Sequence, residues 1–332
     1  MLLRPAYKLT IGSKTVDTTD EPQASTVVDL NISLNISAPA DSFKLLMGNV
    51  GSFKPARDDE VKIELGYADN GGTKQVVKGV VATVEPNLTT TRVIGYGSEM
   101  KMLRTFNDKT YERMTAGAIV RDLAQKAGVE VSKAEDGINF PAYVVDARRS
   151  VYAHMLDLAE FCGFDLYLTN EDKLVFEKFI NGKKVHIFEF GKHIVELDVR
   201  RTPPLAGQVV VWGESATGSK GNDASSWLTT DFSGSKGVAG SGPTLLLERP
   251  ALRTTDAART AANAALTTIQ RRTLRGQLLT IGRPEVKLGD AIRLSGLEDD
   301  SLNSSFQVRG VTHRITKAGG FTTDVAFRAI QT

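Results

Sequence analysis

The sequence predicts a mainly β protein with an α+β insert: two β-barrels in tandem, separated by a small α/β module. Three observations predict it. Apolar residues alternate with polar ones through the first hundred residues and again near the C-terminus. From about Thr110 the spacing changes to that of amphipathic helices. Two strand patterns of the first region also recur in the last one, at one common offset.

The segments "YKLTIG", "STVVDLNISLNIS", "DEVKIELGY", "KQVVKGVVATVEP" and "TTRVIGYG" read as strands, with turn residues such as "ADNGG" between them. "PADSFKLLM" reads as a short helix capped by Asp41 or Ser42. This region, residues 1–110, is the first expected barrel. In "MTAGAIVRDLAQKAGVEV", Thr115 caps a helix whose apolar face is Ile119, Val120, Leu123 and Ala127, and Gly128 offers the left-handed stop. Ser150 caps a second helix with Met155, Leu156, Leu158 and Ala159 on its buried face, ended by Gly163. "FDLYLTNEDKLVFEKF" follows as a hairpin turning at Asn170–Asp172. These elements make up the α/β insert, residues 111–188.

Residues 189–332 form the second expected barrel. "VELDVRR" and "GQVVVWGE" are strands, and residues 213–243 read as a long Gly/Ser-rich loop. A helix is expected over about 256–272, with Ala258, Ala262, Ala265 and Ile269 on one side. "RGQLLTIGRPEVKLGDAIRLSG" then reads as two strands joined through a turn, a hairpin. "VKIE" at Val61–Glu64 matches "IRLS" at Ile292–Ser295, and "VKGVVATVE" at Val77–Glu85 matches "VRGVTHRIT" at Val308–Thr316. Both pairs are 231 residues apart, which points to an internal repeat.

The chain has 332 residues, enough for two or three domains each with its own core. Lys plus Arg number 41 against 39 Asp plus Glu, a formal charge of +2 that gives no support to broad nucleic-acid or membrane binding. The pair Arg271 and Arg272 and the run "RTLR" are too short to define a basic patch. The single Cys162 lies among apolar residues and reads as a buried, inert thiol. It excludes an intrachain disulfide and a multi-cysteine metal site. No segment has the form of a signal peptide or membrane span, so assembly in the bacterial cytoplasm is expected.

Little in the sequence carries chemistry. "GESATGSKG" at Gly213–Gly221 inverts the Lys-Ser order that a phosphate loop needs and lacks a following helix. His154, His186, His193 and His313 show no metal-ligand spacing. The acids Asp58–Glu60 and Glu298–Asp300 sit in hydrophilic turns, where a raised pKa has no source. No catalytic residue, cofactor or metal is therefore expected. Trp227, Leu228 and Phe232, isolated among glycines and serines, are the candidate partner-interface residues.

The C-terminal run places Gly282, Pro284, Gly289, Phe306, Val308, Val311, His313, Gly319, Gly320, Phe321 and Thr323 in a characteristic order. It resembles the end of the phage late control D family, the baseplate hub proteins of contractile tails and related injection particles. "TAGAIVRDLAQKAG" and "SVYAHMLDLAEFCGFDLYLTNEDKLVFE" are similar to that family's α/β insert. The resemblance implies two tail-tube-like β-barrels and a homotrimer. It implies a structural adaptor with a hexameric tail tube protein on one face and a trimeric spike protein on the other, among other baseplate proteins. It implies no enzyme, no cofactor and residence in a virion tail or released particle, with the puncturing tip on a separate protein. The rival expectation is a tail-associated peptidoglycan hydrolase or a cell-wall-binding module.

Overall fold

The computed structural model describes residues 3–20, 26–49, 54–180, 184–213 and 236–330. The chain opens with β1 (Pro5–Ile11), β2 (Lys14–Asp17), β3 (Val27–Asn35), β4 (Ser42–Gly48), β5 (Glu60–Tyr67), β6 (Gly72–Pro86) and β7 (Thr90–Tyr96). Then come α1 (Glu99–Arg104), β8 (Lys109–Thr115), α2 (Ala116–Lys126), β9 (Val131–Ala134), β10 (Asn139–Val145), α3 (Val151–Cys162), β11 (Asp165–Leu168) and β12 (Leu174–Glu177). The next elements are β13 (Val185–Glu189), β14 (Glu196–Arg201), β15 (Gln208–Trp212), β16 (Lys236–Gly240), β17 (Thr244–Glu248) and α4 (Thr255–Arg271). The chain closes with β18 (Leu274–Ile281), β19 (Ala291–Ser295), β20 (Ser305–Thr316) and β21 (Gly320–Ala329).

Thirteen of these strands form one sheet. Its first half runs β3-β4-β7-β6-β5-β1, with β2 beyond; its second half runs β14-β18-β21-β20-β19-β13. The two halves have the same order in space and in sequence. β5 therefore corresponds to β19 and β6 to β20, as the common offset predicts. The offset does not survive residue by residue: Val61 faces Gly79, whereas Ile292 faces Phe306. The strands have the same neighbours in both halves, while the register of the β19–β20 pair differs from that of β5–β6.

Two expected elements differ. "PADSFKLLM" is not a helix: Ser42–Gly48 is β4, with Phe43, Leu45 and Met47 buried alternately. Pairing with β3 and β7 on both edges overrides the local signal. The stretch from Arg275 to Gly296 is not a hairpin. β18 pairs with β14 and β21, β19 with β13 and β20, so two strands lie between them. Gly282 makes the crossover possible: its N–H donates to Phe321 O at 2.8 Å, its carbonyl accepts from Tyr67 Oη at 3.2 Å, and a Cβ there would enter the Phe321 ring.

The halves do not have separate cores. β20 pairs with β3 from Gly310↔Asn35 to Thr316↔Asp29, and one apolar cluster takes residues from both sides, among them Phe43, Leu45, Ile63, Ile292, Val308 and Phe327. His313 lies at this joint, fully buried, and burial pushes its pKa down to about 3. Thr323 Oγ1 accepts from Arg283 N at 2.8 Å and lies 3.0 Å from His313 Nδ1. The Thr323 hydroxyl thus joins the Arg283 backbone to the buried imidazole.

A second core covers this sheet. The helices α2 and α3 form as expected, capped by Thr115 and Ser150, with Gly163 left-handed at the end of α3. They pack with β9–β12, with the small sheet β16-β15-β17, and with Ala257, Ala258, Ala261 and Ala262 of α4. Two interruptions of the repeat, one between β7 and β13 and one between β14 and β18, thus fold onto each other. The expected loop of residues 213–243 contains β16, whose Gly237 lies so close to α4 that a Cβ would strike the Ala258 backbone. Pairing with β15 and the lack of bulk let this Gly/Ala stretch form a strand beneath a helix.

The α/β layer is tied to the sheet at the β11–β12 turn. Gln75 and Asn170 exchange side-chain to backbone bonds of 2.6 and 2.9 Å, and Asp172 accepts from Ser98 N and Oγ at 2.8 and 2.5 Å. Asp41 and Glu99 are buried nearby, at 6% and 5% exposure. Burial raises the pKa of all three acids, Asp41 to about 7 and Glu99 well above the ordinary range, and repulsion from the neighbouring acids adds to it at Asp41 and Glu99.

Two outcomes follow for stability. Gly282→Ala is expected to destabilise the protein by about 1–3 kcal/mol in urea unfolding, because the added methyl group overpacks the Phe321 ring. The second concerns pH. Folded Asp41 keeps a proton that the unfolded chain releases, so its contribution is complete below 3.8 and is lost as pH rises through about 7. His313 has the opposite sign, its contribution being lost as pH falls below 6.5. Subtracting the parent's melting temperature from that of Asp41→Asn cancels the histidine. That difference is expected to grow in favour of the variant from about pH 4 to about pH 7; a constant difference would show that Asp41 ionises normally in the fold.

Candidate functional site

The residues that the sequence singled out do not converge. Trp227, Leu228 and Phe232 lie outside the described residues. Asp58 and Glu60 are exposed, and Asp59 accepts from Ala56 N in its own turn. Glu298, Asp299 and Asp300 are exposed as well, with Asp299 bonded to Ser301 and Arg201. The four histidines sit apart: His154 beside Asp146 O, His186 on Asp290 at 2.8 Å, His193 against Glu189 N, and His313 in the core. Among the described residues no cluster of metal-ligating side chains forms. Cys162 is buried, and burial pushes its thiol up to about 11, out of the reactive range.

A different set of residues does converge. In the directly opposed positions of four adjacent strands stand Arg200 of β14, Arg275 of β18, Arg328 of β21 and Gln307 of β20. Opposed residues share a face of the sheet, so three arginines form one cross-strand row. Arg309 joins them from the β20 bulge between Val308 and Gly310, where the extra residue re-aims a side chain. Arg271 and Arg272 enter from the end of α4, where the helix runs straight into β18 and the negative end of its dipole suits cations.

These side chains line two adjoining clefts of about 480 and 530 Å³, which share Ser37, Arg272, Arg309 and Arg328. One lies between α3, α4 and the sheet; the other continues over the arginine row. At the floor Asp165, the first residue of β11, is 8% exposed. It accepts from Arg309 and, at 2.5 Å, from Gln307 Nε2; Arg328 lies 3.6 Å away and donates to Gln307 Oε1 at 2.9 Å. Six arginines and Lys178 thus face three acids, Glu160, Asp165 and Asp198.

This arrangement works against itself electrostatically. Like charges directly opposite on a sheet are destabilising. Burial, then repulsion from Arg309, lowers the pKa of Arg328 to about 9, and burial lowers that of Arg271. Arg271 Nε is buried with no hydrogen-bond partner, its guanidinium lying over the Phe179 ring at 5.8 Å. Such a cleft can hold oxyanions through planar, paired N–H donors. The thiol in its lining, Cys162, is held protonated by burial. The acids whose pKa burial does raise, Asp41, Glu99, Asp172 and Asp324, line neither cleft.

The pair Arg271–Arg272 was visible in the sequence, but too short to read as a patch. Of its companions, Arg275 closes the run "RTLR" and Arg200 stands beside Arg201, whereas Arg309 and Arg328 are single polar positions in their strands. Only strand pairing brings them together. Leu156, expected on the buried face of its helix, is 38% exposed instead and lines the first cleft.

The whole architecture has known counterparts. It superposes on a 43 kDa tail protein of prophage MuSo2 from Shewanella oneidensis with a TM-score of 0.74 at 13% identity, covering 97% of this chain and 98% of that one. A tail protein from Neisseria meningitidis MC58 gives 0.72 at 12% identity, covering 98% and 97%. An Escherichia coli component of the type VI secretion system gives 0.60 at 10% identity, covering 98% and 77%. At these identities the likeness is one of fold. No curated protein matches the sequence. The family model Alg8_N, described as the Alg8 N-terminal domain, matches residues 34–317, from the last residues of β3 through both interruptions to the end of β20, and the chain belongs to that family.

Proposed function

We propose that this chain is a structural component of the tail or tail-like injection particle of a phage-derived system, and within it the baseplate hub. In this reading it is a homotrimer that joins a hexameric tail tube to a trimeric spike. One observation carries it: the six-stranded unit occurs twice in the same order, within a fold that matches phage tail proteins over nearly the full length of both chains. Three copies of a duplicated unit offer six similar elements on one face and three on the other, which is what a junction between sixfold and threefold partners requires. The late control D resemblance of Gly282, Pro284, His313, Phe321 and Thr323 supports the same reading. In the fold these residues serve the joint between the halves, where Gly282 and Phe321 touch and Thr323 bridges Arg283 and His313.

The reading includes the absence of catalysis. It is supported by the exposure of Asp58, Glu60 and Glu298–Asp300, by the turn bond of Asp59, and by the exclusion of Asp41, Glu99, Asp172 and Asp324 from both clefts. Trp227, Leu228 and Phe232 are proposed as anchors of a contact with a neighbouring subunit or the spike.

Light scattering on the purified chain is expected to give three times the mass of one chain, and particle imaging to find it at the tube–spike junction. Replacing Trp227 and Phe232 together by serine is expected to weaken ring closure or spike docking while the circular dichroism of the sheet is kept. A chain that stays monomeric at high concentration and is missing from that junction would defeat the hub reading. Turbidity assays on purified peptidoglycan are expected to match a protein-free blank. Clearing that disappears in Asp59→Asn or Asp299→Asn would favour the hydrolase instead.

A further inference from the structure

We infer that the arginine-lined cleft is a binding site for an acidic peptide segment of a partner protein. The inference goes beyond the hub reading, because it concerns one face of one chain and holds whether or not the chain forms a ring.

The fold leaves charge in this cleft unanswered. Asp165 occupies Arg309 and stands within 3.6 Å of Arg328, and Asp198 stands 3.5 Å from Arg200. Among the described residues Arg272 and Arg275 form no ion pair, and Arg271 feels Asp165 only at a distance, although Arg275 sits directly opposite both Arg200 and Arg328. A sheet gains nothing from three arginines in one row. A ligand that carries several negative groups at strand-like spacing removes that repulsion, since neighbouring strands lie about 4.8 Å apart and side chains on one face of an extended peptide repeat at about 6.8 Å.

The surroundings choose among anionic ligands. The first cleft has apolar walls from Ile36, Tyr152, Leu156 and Phe164 beside its arginines, a lining that suits alternating acidic and apolar side chains. Arg309 and Arg328 are only 16% and 14% exposed and stand around a carboxylate already, so the chemistry they accept is that of Asp or Glu. Nucleic acid fits less well. Its backbone is held by open basic surfaces that neutralise many phosphates, whereas this chain carries a net +2 and keeps Asp165 and Asp198 within the site.

Fluorescence anisotropy tests this on the full chain. The probe is a short labelled peptide that alternates glutamate and leucine; the comparison probes are the same peptide with lysine for glutamate, a labelled single-stranded oligothymidylate, and inorganic phosphate as competitor. Saturable binding of the acidic peptide is expected, with none of the lysine peptide, and weakening as salt rises from about 0.05 M to about 0.5 M. The exposed Arg272→Glu and Arg275→Glu variants are each expected to lose affinity by about tenfold or more. Arg259→Glu, on the first half of α4 and outside both clefts, is expected to bind like the parent. Circular dichroism and urea midpoints check that each variant is folded; should Arg275→Glu not fold, Arg272→Glu alone decides. No binding of the acidic peptide, equal binding by the cleft variants and the parent, tighter binding of oligothymidylate, or full displacement by millimolar phosphate would each overturn the proposal.

Discussion

The seven-residue ladder between β20 and β3 is the constraint on which the molecule depends. Without it each half-sheet would end in an open edge, β3 on one side and the C-terminal part of β20 on the other. Open edges pair with whatever strand they meet. Here they meet each other, and the two halves come to share a core in which Tyr67 of β5 packs on Phe321 of β21, ring centroids 5.7 Å apart. The cost of that arrangement is local irregularity. β20 serves β19 with its first three residues and β3 with its last seven, and the bulge at Arg309 falls between the two.

The bulge links the sheet to its helical layer. The residue it re-aims is the arginine that meets Asp165, so the change of partners along β20 coincides with the point where the α/β layer touches the sheet. Asp165 follows the left-handed Gly163 by two residues, and Gly163 in turn lies against Ala264 of α4 so closely that a Cβ would meet the alanine Cβ at 2.9 Å. Helix, strand and bulge are therefore fixed relative to one another by small residues and one buried ion pair. Replacing one partner of such a pair leaves the other charge buried and alone, a loss far greater than the pair's own net contribution.

Local signals and pairing signals were legible in the sequence to different degrees. The caps at Thr115 and Ser150, the left-handed Gly163 and the turn at Asn170–Asp172 are short-range features, and each stands where its residues predict. The repeat was legible because two patterns recur at one spacing. Ser42–Gly48 was not, since Pro39 and Asp41 before it imitate a helix start and only the two flanking strands reveal β4. The order of β18 and β19 was hidden for the same reason: alternation says that a strand exists and is silent on its neighbours. The arginine row is the extreme case. Arg200, Arg275 and Arg328 are unremarkable one at a time, and a span of well over a hundred residues separates the first from the last.

The two halves differ in one respect that ordering alone conceals. β1 runs antiparallel to β5, whereas β13, its counterpart, runs parallel to β19. The first strand of the second half enters the sheet from the opposite end, because the chain reaches it from the α/β layer and not from a turn. A copy of the first half could not stand in the place of the second without reversing this strand. The two alike pieces are therefore complementary parts of one sheet and cannot be exchanged.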